Sequence, residues 1–375
     1  MIYLDNAATT KPSQRAAEAM MMAVSNFGNP SSLHGLGLQT EKLINSARDN
    51  IANMLGVNSK NVYFTSGGTE SNNLAIYGVA NSLKRRGKRV ITSTIEHPSV
   101  MESFKRLEND GYDVCYLGVD KDGIVNLDDL AGMLTEDTIL VSIMHVNNET
   151  GVIQPIERVS AMVREKSPYC IIHCDCVQSF GKIPVKPDKM GVDMVSISAH
   201  KIHGFKGTGA LYTKYARITP LIRGGEQQNE IRPGTENVGG ILAFSAAVSE
   251  CEIDIEKMRE KRNLMRDLLC EKLDNVKVNG SCEHNSGSVL NVSFIGIKAE
   301  ILLHSLERHE IYVSTGSACS SHKPQPSHVL LAMGVGQKAV DGAIRISFSQ
   351  NTTLDEIRTA AEIIAGEVSV IRRYM

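Results

Sequence analysis

The sequence predicts an α/β protein, with a large, mainly parallel sheet flanked by helices and a smaller α+β unit after it. Three observations carry this. Short apolar and β-branched runs recur through the first two-thirds of the chain. Amphipathic stretches with helical spacing separate several of those runs. From about Glu236 the pattern changes to long helical segments with a few short strands. Alternation of strand and helix indicates a parallel sheet, because parallel neighbours need a crossover connection.

The candidate strands, in order, are Val62–Thr65, Arg89–Thr94, Val114–Leu117, Ile139–Met144, Cys170–Cys174, Asp193–Ile197 and Gly209–Tyr212. Gln39–Leu55 places Leu43, Ala47, Ile51 and Leu55 on one helical face and stops at Gly56, a favourable residue just past a helix end. Asn237–Asp274 reads as one long helix or two abutting ones. After it come strands at Val289–Phe294, Ile311–Val313 and Ala343–Phe348, and helices at Ala299–His309 and Leu354–Arg373. The expected boundary lies near Ile255, with residues 15–254 in the large domain and residues 1–14 and 255–375 in the small one.

Size and composition agree with this organisation. At about 150 residues per domain, 375 residues suggest two domains. Hydrophobic residues make up 42% and charged residues 22%, so a large core is available and chain-wide disorder is excluded. With 40 basic against 42 acidic residues the net charge is −2, which gives no overall signature of a nucleic-acid or anionic-membrane surface. No apolar run approaches the roughly 18 residues that span a bilayer. The start, Met1-Ile2-Tyr3-Leu4-Asp5-Asn6, has neither the basic nor the apolar region of a signal peptide. Eight cysteines scattered along so long a chain read as reduced thiols, so the expected location is the cytoplasm.

In an open parallel sheet, ligands bind beyond the carboxyl ends of the strands. Five successive strand ends here carry chemistry: Ser66-Gly67-Gly68-Thr69-Glu70, Ile95-Glu96-His97, His145-Val146-Asn147-Asn148-Glu149, Asp175 with Gln178, and Ser198-Ala199-His200-Lys201. Together they describe one crevice with a phosphate site, an imidazole, an amide, a carboxylate and a lysine.

Each part has a plainer alternative when taken alone. Ser66-Gly67-Gly68-Thr69 precedes a helix expected to begin near Glu70, and backbone N–H groups at such a start bind phosphate. A capped Gly-Gly turn explains the same residues, and no Walker lysine follows. Asp175 suits a protonated ring nitrogen, though a helix cap or an ion pair needs the same carboxylate. A metal site from Cys170, His173, Cys174 and Cys176 is disfavoured, because alternation puts Cys174 and Cys176 opposite Asp175 and no Cys-x-x-Cys is present. No metal is expected. Lys201 has the chemistry of a Schiff-base lysine, but most lysines are only solvated. His97 suits stacking on a ring or proton transfer, yet a lone histidine also packs well in a fold. Ser314–Ser321 is a run of small residues around Cys319, and a thiol there keeps access and some thiolate near neutral pH. The competing reading is an incidental surface cysteine.

These residues resemble the NifS/IscS-like cysteine desulfurases, in the class V branch of pyridoxal-phosphate enzymes. The resemblance runs from Tyr3-Leu4-Asp5-Asn6-Ala7-Ala8-Thr9-Thr10 to about Ser349. It includes residues 28–34, 65–73, 142–149 and 198–201, Arg232-Pro233-Gly234-Thr235-Glu236-Asn237 and Gly316-Ser317-Ala318-Cys319. It implies fold type I, the aspartate-aminotransferase-like fold, with pyridoxal 5'-phosphate as cofactor. Lys201 would hold the cofactor covalently. Asp175 would pair with its ring nitrogen, and His97 would stack on the ring. Asn148 and Gln178 would reach the ring hydroxyl. Gly68, Thr69, Ser198 and His200 would hold the phosphate, joined by Thr235 from the second subunit of a homodimer. Arg345 would clamp the carboxylate of L-cysteine, with Asn148, Asn29 and His34 in the substrate site. Cys319 would accept the sulfur and pass it to an acceptor protein, an iron–sulfur scaffold or a tRNA-thiolating enzyme, with no direct nucleic-acid contact and no membrane.

Two related activities, selenocysteine lyase and class V aminotransferase, would use the same Lys201 and Asp175; the Ser-Ala-Cys loop points to desulfuration. A non-catalytic, partner-binding homologue would be expected to lose Lys201, Asp175 or Arg345, and all three are present. The chain departs from the usual family pattern at Phe205, at Glu226 and the segment after it, and at Cys176.

Overall fold

A computed structural model describes residues 1–215, 217–315 and 326–374. In chain order the strands are β1 (Ile2–Tyr3), β2 (Val62–Thr65), β3 (Arg89–Ser93), β4 (Asp113–Leu117), β5 (Thr138–Ser142), β6 (Ile171–Asp175), β7 (Met194–Ser198), β8 (Gly209–Thr213), β9 (Val276–Asn279), β10 (Val289–Phe294), β11 (Ile311–Tyr312), β12 (Ser314–Thr315) and β13 (Ala343–Ser347).

Strands β2 to β8 form a seven-stranded sheet in the order β2-β8-β7-β6-β5-β3-β4. Only β8 runs against its neighbours, so the sheet is mainly parallel. Its inner strands are apolar on both faces. Ile91, Val141, Ile172 and Val195 enter one core with the helices Gly35–Leu55, Ile156–Lys166 and Val238–Ser249. Their neighbours Val90, Leu140, Ile171 and Met194 enter a second core with Gly68–Leu83 and Pro98–Asn109. Burial on both faces is what a parallel sheet with crossover helices requires.

Sequence expectations and structure differ in several instructive places. Strand β6 is shifted one residue from Cys170–Cys174, because the Cys170 N–H closes a turn onto Ser167 O while Asp175 still pairs with Ser196 of β7. Asp175 is therefore the last residue of its strand. The helix expected near Glu70 begins at Gly68. The helix expected from Gln39 begins at Gly35, because the His34 ring accepts the Gly37 N–H; it ends at Gly56, whose φ of 73° suits glycine. The 237–274 stretch is two helices, Val238–Ser249 and Ile255–Lys272, the second capped by the Asp254 side chain.

A four-stranded antiparallel sheet, β12-β13-β10-β9, lies over helices Ile255–Lys272, Ala299–Glu307 and Leu354–Tyr374. Ile357, Ala360, Ala361, Ile364, Val368 and Ile371 of the last helix fill that core at helical spacing. The N-terminus joins this unit. Strand β1 pairs with β11, and Asp5 bridges to Ser347 at the end of β13.

Candidate active site

A cavity of about 270 Å³ lies beyond the carboxyl ends of β2, β3, β5, β6 and β7. Gly68, Thr69, His97, Asn148, Asp175, Gln178, Ser198, His200 and Lys201 all line it. The strand ends thus meet in one place, as crossover topology dictates.

One wall is a helix N-terminus. Gly68 starts a 16-residue helix, and a Cβ there would stand 2.6 Å from Val177 Cγ2. The glycine allows the chain after β6 to pack against the helix start. The nearby Ser198 hydroxyl is buried without a partner. An unpaired buried hydroxyl beside free N–H groups fits an anion such as a phosphate.

The Asp175 carboxylate is gripped on both oxygens. Asn72 Nδ2 donates to Oδ2 at 2.7 Å, and Val177 N–H donates to Oδ1 at 2.9 Å. Asn72 also donates to Ser99 Oγ, whose backbone N–H is accepted by His97 Nδ1 at 3.1 Å. That places the His97 ring as the cap of helix Pro98–Asn109 with its face available to the cavity. Burial lowers the His97 pKa; Asp175 opposes the shift and Lys201 adds to it. Burial, helped by Lys201, Lys206 and Lys182, pushes His200 down to about 4. A neutral imidazole stacks or accepts a proton more readily than an imidazolium.

Lys201 Nζ donates to the carbonyls of Ala7 and Ala8 at 2.6 and 2.7 Å. The amine therefore faces a segment from the far end of the sequence. Arg345, on β13, reaches the same region: Nη1 donates to Asn148 O at 3.2 Å and Nη2 pairs with Asp5 at 2.9 Å. Its Nε is buried without a partner. Beneath His97, fully buried Glu96 accepts from Ser93 Oγ and Met144 N–H on one oxygen and has no partner on the other. Burial raises its pKa to about 8, and Asp175 adds to the rise.

Among the described residues, four of the expected site residues do not line this cavity: Arg345, which reaches its edge through Asn148, and Thr235, Asn29 and His34. Thr235 lines a separate space of about 110 Å³ with Ser66, Arg232 and Asn237. Asn29 and His34 are exposed; Asn29 caps a turn onto Ser31, and His34 caps the helix that follows. Cys319 lies outside the described residues. Cys174 and Cys176 point into the hydrophobic core opposite the cavity, and among the described residues no cluster suits a metal ion. The sequence reading did not single out Asn72, Asp5 or the Ala7 and Ala8 carbonyls. Asn72 had a signal, since it follows Gly68 by four residues on one helical face. Asp5 had none, because its partner Arg345 is 340 residues away.

This arrangement can hold an anion at a helix start, a flat ring against an imidazole, a cationic ring nitrogen on a carboxylate and a carbonyl carbon within reach of an amine. The comparisons point the same way. The family model "Aminotransferase class-V" matches residues 2–359. "Cysteine desulfurase IscS" of Dictyoglomus turgidum is 43% identical, over 99% of this chain and 95% of its own length. Among solved structures, a "NIFS-LIKE PROTEIN" superposes with a TM-score of 0.91 at 38% identity, covering 98% of this chain and 99% of that one. A structure titled "SspA in complex with cysteine" gives 0.83 at 32% identity, covering 93% and 99%. With similarity over nearly its full length, the chain belongs to the class-V aminotransferase family, among the NifS/IscS-like cysteine desulfurases.

Proposed function

We propose that the protein binds pyridoxal 5'-phosphate and moves the sulfur of L-cysteine onto Cys319, leaving L-alanine and a persulfide for an acceptor protein. The observation that carries this is the sharing of one cavity by Lys201, the doubly held Asp175 carboxylate and an unpartnered Ser198 hydroxyl beside a helix start.

Ser198, Thr69, His200 and the N–H groups after Gly67 hold the phosphate. Asp175 keeps the ring nitrogen protonated, His97 covers the ring face, and Asn148 with Gln178 serves the ring oxygen. Lys201 holds the cofactor covalently. When bound, the cofactor supplies an electron sink for charge developing at the substrate α-carbon. Lys201 Nζ would be the group placed to take and return the α-proton, with the Ala7 and Ala8 carbonyls accepting from it while it is charged. Arg345 binds the substrate carboxylate, a task suited to a planar guanidinium. Cys319 Sγ then takes the sulfur. An S–S bond forms as the substrate C–S bond breaks, and the bonding pair stays with the β-carbon, which is protonated to give alanine.

The working unit is a homodimer in which Thr235 of one subunit completes the phosphate site of the other. Asn29 and His34 serve the substrate site. In support of the homodimer, their stretch exposes Phe27, Leu33, Leu36 and Leu38, large apolar groups that a partner would cover. The chain is read as two domains divided near Ile255, with residues 1–14 joining the second; the pairing of β1 with β11 supports this. The sulfur acceptor is an iron–sulfur scaffold or a tRNA-thiolating enzyme, met in the cytoplasm. Among the described residues, no helix is long and apolar enough to cross a membrane.

Mass spectrometry after L-cysteine treatment should show added sulfur on Cys319 and alanine in solution. Lys201→Ala should abolish the bound cofactor's visible absorbance. Cys319→Ala should keep that absorbance and release no sulfide; full sulfide release by that variant would overturn the proposal.

A further inference from the structure

Gln178 lines the cavity, and its amide could face it in either of two ways. The structure decides which. Lys182 Nζ donates to Gln178 Oε1 at 3.0 Å, and Gln178 Nε2 donates to Ala7 O at 2.9 Å. The Ala7 carbonyl can only accept, so it takes the nitrogen end of the amide and leaves the oxygen end to the Lys182 amine. Flipping the amide would set two donors against each other at Lys182 and two carbonyl oxygens against each other at Ala7. One N–H of Nε2 serves Ala7, and the second remains for the cavity.

Lys182 stands in an unfavourable place for a merely structural cation. With Lys201 it lines a small space behind the main cavity, beside Cys251 and His203. Burial, joined by Lys201 and Arg345 and opposed by Cys251, pushes its pKa down to about 7. The charge of Lys182 in turn bears on His200 and His203. The amine donates there to Gln178 Oε1.

We propose that Lys182 is a positioning residue for the cofactor: by occupying Gln178 Oε1 it locks that amide with an N–H toward the cavity, where it donates to the phenolic oxygen of the bound ring. This rests on the reading that the cavity holds pyridoxal phosphate. A donor fixed at that oxygen favours its anionic form, so the bound cofactor loses its proton at lower pH than it would beside a freely turning amide.

The test follows the visible absorbance of the holoenzyme as pH is varied. Lys182→Met should raise the midpoint by about one pH unit, the scale of one hydrogen bond to a charged group. Lys182→Arg keeps a donor-only cation and should return the midpoint toward the parent value. Gln178→Met should raise the midpoint by itself, and adding Lys182→Met to it should change little further. An unmoved midpoint in Lys182→Met would overturn the proposal. So would an equal shift with and without Gln178, since Lys182 would then act through its field and not through the amide. If Lys182→Met does not fold, Lys182→Gln carries the same expectation with a smaller shift, because its own amide offers either end. Absence of visible absorbance in the unsubstituted holoenzyme preparation is a separate outcome, which would remove the cofactor reading and this inference with it.

Discussion

Asn72 Nδ2 donates to Asp175 Oδ2 at 2.7 Å, so the carboxylate that faces the cavity is oriented by a residue on the same helix whose N-terminus forms the anion site. On the proposed reading, one helix would position both the phosphate and the ring nitrogen of the cofactor. Asn72→Ala leaves Oδ2 without that donor while Val177 still serves Oδ1. Affinity for pyridoxal phosphate should fall about tenfold, the scale of one charge-assisted hydrogen bond. Titrating cofactor-free protein and following visible absorbance checks this; unchanged affinity would refute the assigned role.

Gly68 offers a steric test. A Cβ at this position meets Val177 Cγ2 at 2.6 Å, and a β-branched side chain has little freedom to turn away. Gly68→Ala should destabilise the fold by about 1–3 kcal/mol, as overpacking does, and weaken phosphate binding. Val177→Ala in the same chain should restore most of both. Urea unfolding and a phosphate competition assay read the two effects, and failure of the second substitution to rescue would show that the helix start is sensitive for another reason.

Glu96 makes stability depend on pH with a definite sign. Its native pKa, about 8, lies above the ordinary carboxyl value of 4.5. Between these values the native state holds a proton that the unfolded state has lost. The stability this group contributes is therefore fully present below pH 4.5 and is lost as pH rises through 8. Glu96→Gln, neutral throughout, should unfold with a flatter dependence across that window and gain on the parent as pH increases. Denaturant unfolding at a series of pH values measures the difference in slope; identical slopes would show that Glu96 titrates normally.

Arg345 is held from two sides, by Asp5 and by the Asn148 carbonyl, with Nε still unpartnered. Arg345→Lys keeps the charge and can keep one of these contacts, but it loses the planar fork. KM for L-cysteine should rise about tenfold or more while kcat changes less, because a carboxylate clamp acts on binding before the chemical step. Steady-state kinetics decides the point, and a fall in kcat alone would argue that the guanidinium acts elsewhere.

Much of this was legible in the residues. Four-to-six-residue, mainly apolar runs marked the sheet strands, because a strand buried on both faces admits a polar residue only where it finds a partner, as His173 does with Ser142 and Ser196. The polar groups after those runs marked the site, because crossover topology brings strand ends together. The misses had local causes. Reading β6 one residue early came from counting Cys170 by its apolarity, while its N–H belongs to a turn. The helix expected near Glu70 starts earlier, at Gly68, because glycine is acceptable where a helix begins.

By itself the sequence determined which residues could do the chemistry and on which strand end each would stand, since period, turn residues and caps act over a few positions. Tertiary structure alone decided that Asp5 would hold Arg345, that the Ala7 and Ala8 carbonyls would receive Lys201, and that Lys182 would orient Gln178. Two of those three pairings join residues nearly 200 or more positions apart. All three depend on direction within a largely buried space, where leaving a polar group unpaired is costly.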